Sequence, residues 1–396
     1  MFKVLTLNNI SVTGLDRLSR EHYEIASEIQ HPDAVLLRSF KMHDWEVPDT
    51  LQAIGRAGAG VNNIPVETMT SKGIPVFNAP GANAHAVQEL VLTGMLLSAR
   101  NICPAWDFAR QLEGDDAEIT KQVEAGKKNF VGFELPGKTI GVIGLGAIGI
   151  KIANTAIALG MRVIGYDPKI TVESAWQLSH EVEQASSVDD LLTHCDFVTF
   201  HVPLIESTKH MINADRLVNM RDNVTILNFS RSGIVDDDAV IAAMDSGKVH
   251  AYVCDFPSNK LKQHPKVVAL PHLGASTMEA EDNCAIMVAD QIKDYLENGN
   301  IKNSVNFPTI KMAKVPDQFR LTVAHENVPH LLSAITNAIA NAEINIMDML
   351  NKSLNDAAYT LVDTATEIPE SVIEEIKGIE GVLNVRCLDC SSNQDG

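Results

Sequence analysis

A glycine-rich turn between an apolar run and a helical pattern is the feature that most constrains this chain. Apolar residues 139–143 precede Gly144, Gly146 and Gly149, which predicts a strand, a tight turn and a helix that bind a dinucleotide. Gly144 would permit the turn, Gly146 would let the backbone approach a pyrophosphate, and Gly149 would allow helix and strand to pack closely. The phosphates would then lie at a helix N-terminus, where N–H groups and the helix dipole favour negative charge.

A carboxylate after the next predicted strand narrows the cofactor. The apolar run 161–166 delivers Asp167 eighteen residues after Gly149. An acid at about this spacing binds the adenosine ribose and would repel a 2′-phosphate. We therefore expect NAD rather than NADP. A plain strand–turn–helix with a surface aspartate remains the alternative on these residues alone.

Composition limits the class of protein and its partners. The 396 residues are enough for two or three domains with their own cores. The net charge of −19 argues against binding to nucleic acid or to an anionic membrane. No apolar segment is typical of a membrane helix, and the N-terminus lacks the pattern of a signal peptide. We expect a cytoplasmic protein without a membrane partner.

The six cysteines are scattered, which predicts reduced, mostly buried thiols. Cys387 and Cys390 have CxxC spacing, but no second pair or histidine partner accompanies them. We interpret them as part of a terminal strand and tail, and we predict no metal site.

Alternating strand and helix patterns predict an α/β fold with two doubly wound parallel sheets. The first domain has strand patterns at 3–7, 34–37, 53–55 and 75–77. A long helix, for which Asn83 is a plausible cap, runs to about residue 100 and crosses to the next domain. The alternation resumes over 139–272, and a helix over 276–298 returns the chain to the first domain.

The predicted strands of the second domain end in polar side chains. Asp167, Arg231, Asp255 and His272 each lie at or just after such an end. Ligands of doubly wound sheets bind outside the carboxyl ends of the strands. These four side chains are therefore expected to converge on one crevice.

Two loops of the first domain offer groups that bind anions. Residues 37–41 follow a strand and include Arg38, Ser39 and Lys41, and the glycine-rich loop 55–63 exposes backbone N–H groups. A solvated turn and a flexible loop remain the alternative on these residues alone.

The C-terminal residues 317–390 predict a separate α+β module. Strand patterns lie at 319–323, 344–349, 359–363 and 383–388, with one helix after Pro329 and another near 370–377. The order is βαββαβ, which is typical of a compact two-layer module. It carries no catalytic constellation.

These segments together resemble the D-specific 2-hydroxyacid dehydrogenases over nearly the whole chain. The resemblance rests on residues 55–63, 144–149, 201–204, 228–236 and 255, and on 271–277. The tail resembles an ACT domain, a regulatory module. The resemblance implies a substrate-binding domain of residues 1–97 and 276–310, an NAD-binding domain of 98–275 and an ACT domain of 317–396. It also implies a dimer or tetramer of identical chains, with serine as an effector at the ACT domain.

Site residues follow from the same resemblance. Arg231 is similar to the arginine that clamps the substrate carboxylate, and His272 to the general base, both in contact with substrate. The implied cofactor-binding residues are Gly144, Gly146, Ala147, Ile148, Gly149, Asp167, Val202, Phe229, Ser230, Asp255, Gly274 and Ala275. The implied contacts to the rest of the substrate are Arg38, Ser39 and Lys41 on its phosphate side and the backbone of Ala59 and Gly60.

The implied reaction is NAD-dependent oxidation of a small anion, 3-phospho-D-glycerate, to 3-phosphohydroxypyruvate, the first step of L-serine biosynthesis. Histidine suits the removal of a hydroxyl proton near neutral pH, and guanidinium binds a carboxylate bidentately. One alternative is a dehydrogenase or reductase for another small D-2-hydroxy acid. The other is a non-catalytic NAD-sensing protein, since transcriptional corepressors share this fold.

Two positions depart from the family pattern. The family usually has a glutamate that polarises the histidine four or five residues after the strand-end aspartate, where this chain has Asn259 and Lys260. Either another acid takes that place in three dimensions or the pH profile is altered. In the ACT-like tail, His330 stands where a glycine often follows the proline.

Overall fold

A computed structural model describes residues 1–388 of the chain, which forms two compact units. The first unit comprises Met1–Ala82 and the chain from Glu281 onward, and the second comprises Asn83–Ala280. The chain therefore crosses between units twice, near the starts of two long helices. The three functional domains expected from the sequence are a finer division and stay a prediction.

The elements alternate as the sequence predicts. The strands are β1 (Phe2–Leu7), β2 (Tyr23–Ala26), β3 (Ala34–Leu37), β4 (Ala53–Arg56), β5 (Val76–Phe77), β6 (Thr139–Ile143), β7 (Arg162–Tyr166), β8 (Glu183–Gln184), β9 (Phe197–Phe200), β10 (Val224–Asn228), β11 (Val249–Cys254), β12 (Val267–Ala269), β13 (Phe319–Glu326), β14 (Ile346–Leu354), β15 (Ala357–Thr364) and β16 (Val382–Leu388). The helices are α1 (Val12–Leu15), α2 (Val66–Ser71), α3 (Ala84–Ala99), α4 (Ile102–Arg110), α5 (Asp116–Gly126), α6 (Ala147–Ala158), α7 (Val172–Gln177), α8 (Val188–His194), α9 (Ala214–Asn219), α10 (Asp237–Asp245), α11 (Met278–Asn298), α12 (Leu331–Asn341) and α13 (Glu370–Lys377). Short 3₁₀ turns lie at Lys127–Phe130, Ser232–Ile234 and Leu261–Gln263.

The first unit contains a parallel sheet in the order β2-β1-β3-β4-β5. Every residue of β3 is buried, as expected for a central strand covered on both faces. The sequence analysis did not find β2, which lies at the sheet edge and has only one fully buried residue. An edge strand of this kind lacks the continuous apolar run that identifies central strands.

The second unit contains a longer parallel sheet in the order β12-β11-β10-β9-β6-β7-β8. Both β6 and β10 are buried over their whole length, and hydrophobic clusters cover both faces of the sheet. The direction of winding reverses at β6, which lies between β7 and β9. That reversal is the position at which doubly wound sheets bind their ligands. The expected Rossmann-like architecture is thus confirmed.

The C-terminal module has the predicted βαββαβ order and an antiparallel sheet, β14-β15-β13-β16. Helices α12 and α13 contribute to a core of their own with this sheet. Other residues of the sheet, including Tyr359 and Leu361, join the core of the first unit beside Tyr295 and Phe307. The module therefore shares buried surface with the rest of the first unit.

A buried arginine fastens the module to the end of α11. Arg320 is 0% exposed, and its guanidinium makes two 2.7 Å hydrogen bonds to Asp363. It also donates to the carbonyl oxygens of Asn298, Met312 and Ala313, each at 2.9 Å. A buried charge is tolerated only when it is paired and hydrogen-bonded in this way.

Further contacts satisfy the last carbonyl groups of α11, which have no partner within the helix. Arg386 donates to the carbonyl oxygens of Tyr295 and Leu296 and lies 4.3 Å from the Tyr295 ring centroid. The Tyr359 hydroxyl donates to the Gly299 carbonyl at 3.0 Å. Cations are favoured at a helix C-terminus, so the module supplies this helix with its C-terminal cap.

Two smaller expectations were wrong. Asn83 precedes α3, but its side chain makes no hydrogen bond to the helix, so it does not cap it. Cys195, Cys254 and Cys284 are buried free thiols as expected, whereas Cys387 is disulfide-bonded. Cys390, the other half of the CxxC pattern, lies outside the described residues.

His330 explains why the family often has glycine at its position. It precedes α12 with a φ of +70°. Glycine adopts this left-handed conformation without the steric cost that a side chain brings.

Among residues 1–388, no helix is long and apolar enough to cross a membrane.

Replacing Asp363 by asparagine should lower the free energy of unfolding by about 3–5 kcal/mol, because the buried Arg320 charge would lose its counter-charge. Urea denaturation followed by circular dichroism measures this. Asp290→Asn is the matched control, since Asp290 pairs with Arg17 on the surface of the same unit and its loss should change stability little. Equal effects of the two variants would contradict the role assigned to the buried pair.

Candidate active site

The glycine turn has the geometry that a pyrophosphate requires. Gly144 has a φ of +94°, and a Cβ there would lie 2.4 Å from the His201 carbonyl oxygen. A Cβ on Gly149 would lie 1.9 Å from the Gly144 carbonyl oxygen, so both positions exclude larger residues. A Cβ on Gly146 would meet no atom within 4 Å. The open space is therefore at the glycine whose backbone is expected to approach the cofactor.

The start of α6 supplies hydrogen-bond donors at the same place. The helix begins at Ala147, directly after Gly146, and its first N–H groups have no acceptor within the helix. Ala147 is exposed and Ile148 half-buried. Free N–H groups at the positive end of a helix dipole suit an anionic pyrophosphate. The residues present thus fit NAD.

Asp167 has a structural task besides the expected one. One carboxylate oxygen accepts the Leu145 N–H at 2.9 Å, and the other accepts the Lys169 N–H at 2.8 Å. The side chain therefore braces the glycine turn from the end of β7. Each carboxylate oxygen can accept a further hydrogen bond, so contact with ribose hydroxyl groups remains open to it.

The loop after β10 is held by a buried asparagine. The Asn228 side chain is 0% exposed, donates to the Arg231 carbonyl at 3.0 Å and accepts the Ser230 N–H at 3.3 Å. The Ser230 hydroxyl donates to the Val202 carbonyl at 2.5 Å, which ties this loop to the end of β9. Phe229 is buried in the core between them. Asn228 fixes the backbone that carries Arg231.

Arg231 itself is exposed. Its guanidinium makes a 2.7 Å hydrogen bond to the Ser230 carbonyl, next to it in the chain. Its remaining N–H donors are those that a carboxylate would engage bidentately.

Asp255 and His272 are joined at the ends of β11 and β12. The Asp255 carbonyl accepts the His272 N–H at 3.0 Å, and its carboxylate Oδ2 accepts the Gly274 N–H at 3.1 Å. Asp255 is 1% exposed, and among residues 1–388 its Oδ1 has no hydrogen-bond partner. His272 is exposed, has a φ of +52°, and its ring lies 5.2 Å from that of Phe256.

Opposing effects act on the Asp255 carboxyl. Burial raises the pKa of Asp255 above its usual value, and the charge of His272, the Gly274 N–H and the charge of Arg231 offset part of that rise. A buried carboxylate thus lies in the electric field of both expected catalytic residues. The sequence predicted that Arg231, Asp255 and His272 lie in one crevice, but it did not predict that the Asp255 carboxylate is buried.

A second strand-end histidine is unsuited to catalysis. His201 shares a 2.9 Å hydrogen bond with the buried Thr199 hydroxyl, and desolvation lowers its pKa to about 3. Such an imidazole is neutral at physiological pH and is too weak a base to take a hydroxyl proton efficiently. His272 is the better candidate for a general base.

The two positions at which the family usually has a glutamate face solvent in this chain. Asn259 and Lys260 are both exposed, and the Lys260 ammonium pairs with Asp238 at 2.5 Å. The nearby Ser258 hydroxyl donates to Asp237 at 3.2 Å.

In the first unit, two asparagines hold the loop after β3. The Asn8 side chain accepts the N–H groups of Ser39 and Phe40 at 3.1 and 2.6 Å. Asn63 donates to the carbonyl oxygens of Arg38 and Phe40 at 3.2 and 2.7 Å. The backbone of this loop is therefore fixed while Ser39 remains exposed.

The cations of that loop differ in their surroundings. The Arg38 guanidinium forms a 2.6 Å ion pair with Glu281, near the start of α11. Lys41 is exposed. Asn8, Asn63 and Glu281 were not singled out from the sequence, because each is far along the chain from the loop and no local pattern marks it.

The glycine-rich loop after β4 is also anchored. Asn78 donates to the Ala59 carbonyl at 2.6 Å, and Gly58 has a φ of +153°. A Cβ on Gly58 would lie 2.0 Å from the Arg56 guanidinium. The backbone at Ala59 and Gly60 is thus held in one conformation.

Gly146→Ala should raise the dissociation constant for NADH at least tenfold, or about 1.4 kcal/mol, because its methyl group would occupy the space meant for the pyrophosphate. Its melting temperature should hardly change, since the open backbone position has room for a Cβ. Fluorescence titration and thermal melting measure the two effects. Gly149→Ala is the contrasting variant and should lose stability as well as affinity, because its Cβ meets the Gly144 carbonyl. Normal NADH binding by Gly146→Ala would remove this glycine from the cofactor site.

Comparison with known proteins identifies the family of the chain. Residues 95–274 match the family model "D-isomer specific 2-hydroxyacid dehydrogenase, NAD binding domain". The chain is 39% identical over 301 residues to a D-3-phosphoglycerate dehydrogenase of Methanocaldococcus jannaschii, covering 74% of this chain and 55% of that protein. It thus spans about half the length of that relative.

Two further proteins extend the comparison. A D-3-phosphoglycerate dehydrogenase of Archaeoglobus fulgidus is 36% identical over 415 aligned positions, covering 96% of this chain and 75% of that one. The crystal structure of NAD⁺-bound 3-phosphoglycerate dehydrogenase from Entamoeba histolytica has a TM-score of 0.60 and 25% identity, covering 77% of this chain and 98% of that chain. NAD is accordingly the cofactor of the second unit. The chain belongs to the D-isomer specific 2-hydroxyacid dehydrogenases.

Proposed function

We propose that the protein oxidises 3-phospho-D-glycerate to 3-phosphohydroxypyruvate with NAD, the first step of L-serine biosynthesis. The observation that carries the proposal is the grouping of Arg231, Asp255 and His272 at the ends of β10, β11 and β12. These strands are neighbours in the sheet that also carries the NAD-binding turn. The relatives named D-3-phosphoglycerate dehydrogenase support the choice of substrate.

Each residue has a defined task in this reaction. NAD, when bound, accepts the hydride from the substrate C2. His272 takes the proton of the C2 hydroxyl group, so that hydride departure leaves a carbonyl rather than a protonated ketone. Arg231 binds the substrate carboxylate through two parallel hydrogen bonds, which fixes the carbon that loses hydride.

The phosphate requires cations against an unfavourable overall charge. The chain has a net charge of −19, which repels a substrate anion at long range. Arg38, Ser39 and Lys41 offer two cations and a hydroxyl on a loop whose backbone is held by Asn8 and Asn63. We assign the phosphate to this loop and further backbone contacts to Ala59 and Gly60.

A steady-state assay with NAD and matched pairs of substrates tests the assignment. 3-Phospho-D-glycerate should give a much higher kcat/KM than D-glycerate, which lacks only the phosphate. A preference for an unphosphorylated D-2-hydroxy acid would support the alternative dehydrogenase. NADH binding without turnover of any 2-hydroxy or 2-keto acid would instead favour an NAD-sensing role.

We propose that the C-terminal module is an ACT-type regulatory domain with serine as its effector. Its βαββαβ order and its attachment to α11 support this assignment. A titration of the oxidation rate with L-serine, with D-serine as control, tests it; no response to L-serine would remove serine as effector.

We also propose that the protein is a cytoplasmic homo-oligomer, either a dimer or a tetramer. Light scattering during gel filtration can test the number of subunits.

His272→Asn should lower kcat by roughly 10²–10⁴, because asparagine cannot accept the hydroxyl proton. The dissociation constant for NADH should change much less. Pre-steady-state hydride transfer measured by NADH absorbance separates the two effects. His201→Asn serves as a comparison at the other strand-end histidine, and turnover near normal in His272→Asn would exclude it as the base.

Lys41→Met should raise KM for 3-phospho-D-glycerate about tenfold, since one charge-assisted contact to the phosphate contributes roughly 1.5 kcal/mol. The kinetics of an unphosphorylated 2-hydroxy acid should be unaffected. Lys72→Met, at the end of α2 in the same unit, is the charge-matched control. An equal rise in KM for both substrates would show that Lys41 does not contact the phosphate.

A further inference from the structure

A nearby negative charge helps a histidine to accept a proton. Imidazolium forms as the substrate hydroxyl is deprotonated, and an ionised carboxylate close by stabilises it. The exposed Asn259 and Lys260 bring no negative charge to the loop after β11. The structure must supply the charge elsewhere or catalysis proceeds without it.

Asp255 is a buried carboxylate bound to the loop that carries His272. It lies directly after β11 and is 1% exposed, and its carbonyl accepts the His272 N–H at 3.0 Å. One carboxylate oxygen is fixed by the Gly274 N–H at 3.1 Å. The other, Oδ1, is buried and has no hydrogen-bond partner among residues 1–388. Leaving a buried carboxylate oxygen without a partner is costly, which is a mark of a functional group.

The charged groups around Asp255 are the catalytic candidates themselves. Burial among the strand ends raises the pKa of Asp255, whereas His272 on the β12 side, the Gly274 N–H and Arg231 on the β10 side favour its ionised form and offset part of that rise. Cys254, its neighbour on β11, is a buried thiol whose own pKa is raised to about 11. This thiol is neutral at physiological pH, so Asp255 provides the negative charge that these residues share.

Other carboxylates near the same loop are engaged differently. Asp238 forms its ion pair with Lys260, and Asp237 accepts the Ser258 hydroxyl. The charges that act on Asp237 are those of Asp236, Asp238 and Lys260. Asp237 therefore offers a matched control, a carboxylate near the same loop in a different set of contacts.

We propose that Asp255 takes the place of the absent glutamate as the positioning residue of the catalytic histidine. Its buried carboxylate stays ionised through the reaction and stabilises the positive charge of His272 after proton transfer. The same carboxylate attracts the positive charge of Arg231. The substrate proton goes to His272 and the hydride to NAD, so no proton passes to Asp255. The proposal rests on the proposed oxidation of a 2-hydroxy acid, and it does not depend on which acid is the substrate.

Asp255→Asn tests the charge while keeping an oxygen that can accept the Gly274 N–H. With the negative charge removed, imidazolium is less stable, and a lower pH is needed to protonate His272. The acid limb of kcat for oxidation, measured at saturating NAD, should move to lower pH by about one unit or more. The maximal kcat should fall at least tenfold, because the imidazolium-forming step loses its stabilisation.

Two comparisons make the result specific. Asp237→Asn should leave the acid limb where it is. Asp255→Glu keeps the charge but displaces it by one methylene group, so it should lower kcat without moving the limb. If Asp255→Asn does not fold in a thermal-melt assay, Asp255→Glu carries the test, and an unchanged kcat in that variant would overturn the proposal.

Other outcomes separate the competing roles of Asp255. Weaker NADH binding with an unmoved acid limb would mean that Oδ1 serves the cofactor alone, which overturns the proposal. Oxidation of a hydroxy acid with an unmoved limb and an unchanged kcat would overturn it while leaving the proposed function intact. Wild-type protein that oxidises no 2-hydroxy acid would overturn both.

Discussion

Strands that pair in parallel all end at the same edge of a sheet, and the second unit depends on that constraint. Residues at the ends of β7, β9, β10, β11 and β12 are spread over about a hundred positions of sequence, yet the pairing places them along one edge. The glycine turn after β6 lies at the point of reversed winding on the same edge. A site that binds NAD beside an arginine, an aspartate and a histidine follows from this arrangement.

Backbone groups do much of the positioning around that edge. The Asp167 carboxylate accepts the N–H groups of Leu145 and Lys169, the Asn228 side chain holds the loop that carries Arg231, and the Asp255 carboxylate accepts the Gly274 N–H. Each is a side chain at a strand end that satisfies polar backbone groups which leave the sheet there. Fixed loops keep exposed side chains such as Arg231 close to one geometry, which favours catalysis by lowering the cost of orientation.

Helix α11 connects the C-terminal module to the loop that contains Arg38, within the first unit. Its last carbonyl groups accept hydrogen bonds from Arg320 and Arg386 of the C-terminal module. Glu281, near its beginning, pairs with Arg38. The helix has 21 residues and is about 31 Å long. Truncation of the module would expose the apolar core that it shares with the first unit, so point variants are better probes of its role than deletions.

The sequence by itself determined the elements and the type of site. Continuous apolar runs marked the central strands, and the glycine spacing with Asp167 marked the cofactor, because these signals are local in the chain. The short strands β2 and β8 were not predicted, since β2 is only partly buried and both residues of β8 are exposed. Only the tertiary structure decided which groups surround His272. The backbone contact of Asp255 with His272, the hydrogen bonds of Asn8 and Asn63, and the pairing of Arg320 with Asp363 join residues 17 to 43 positions apart. Such contacts depend on how strands and loops pack, which no local pattern encodes.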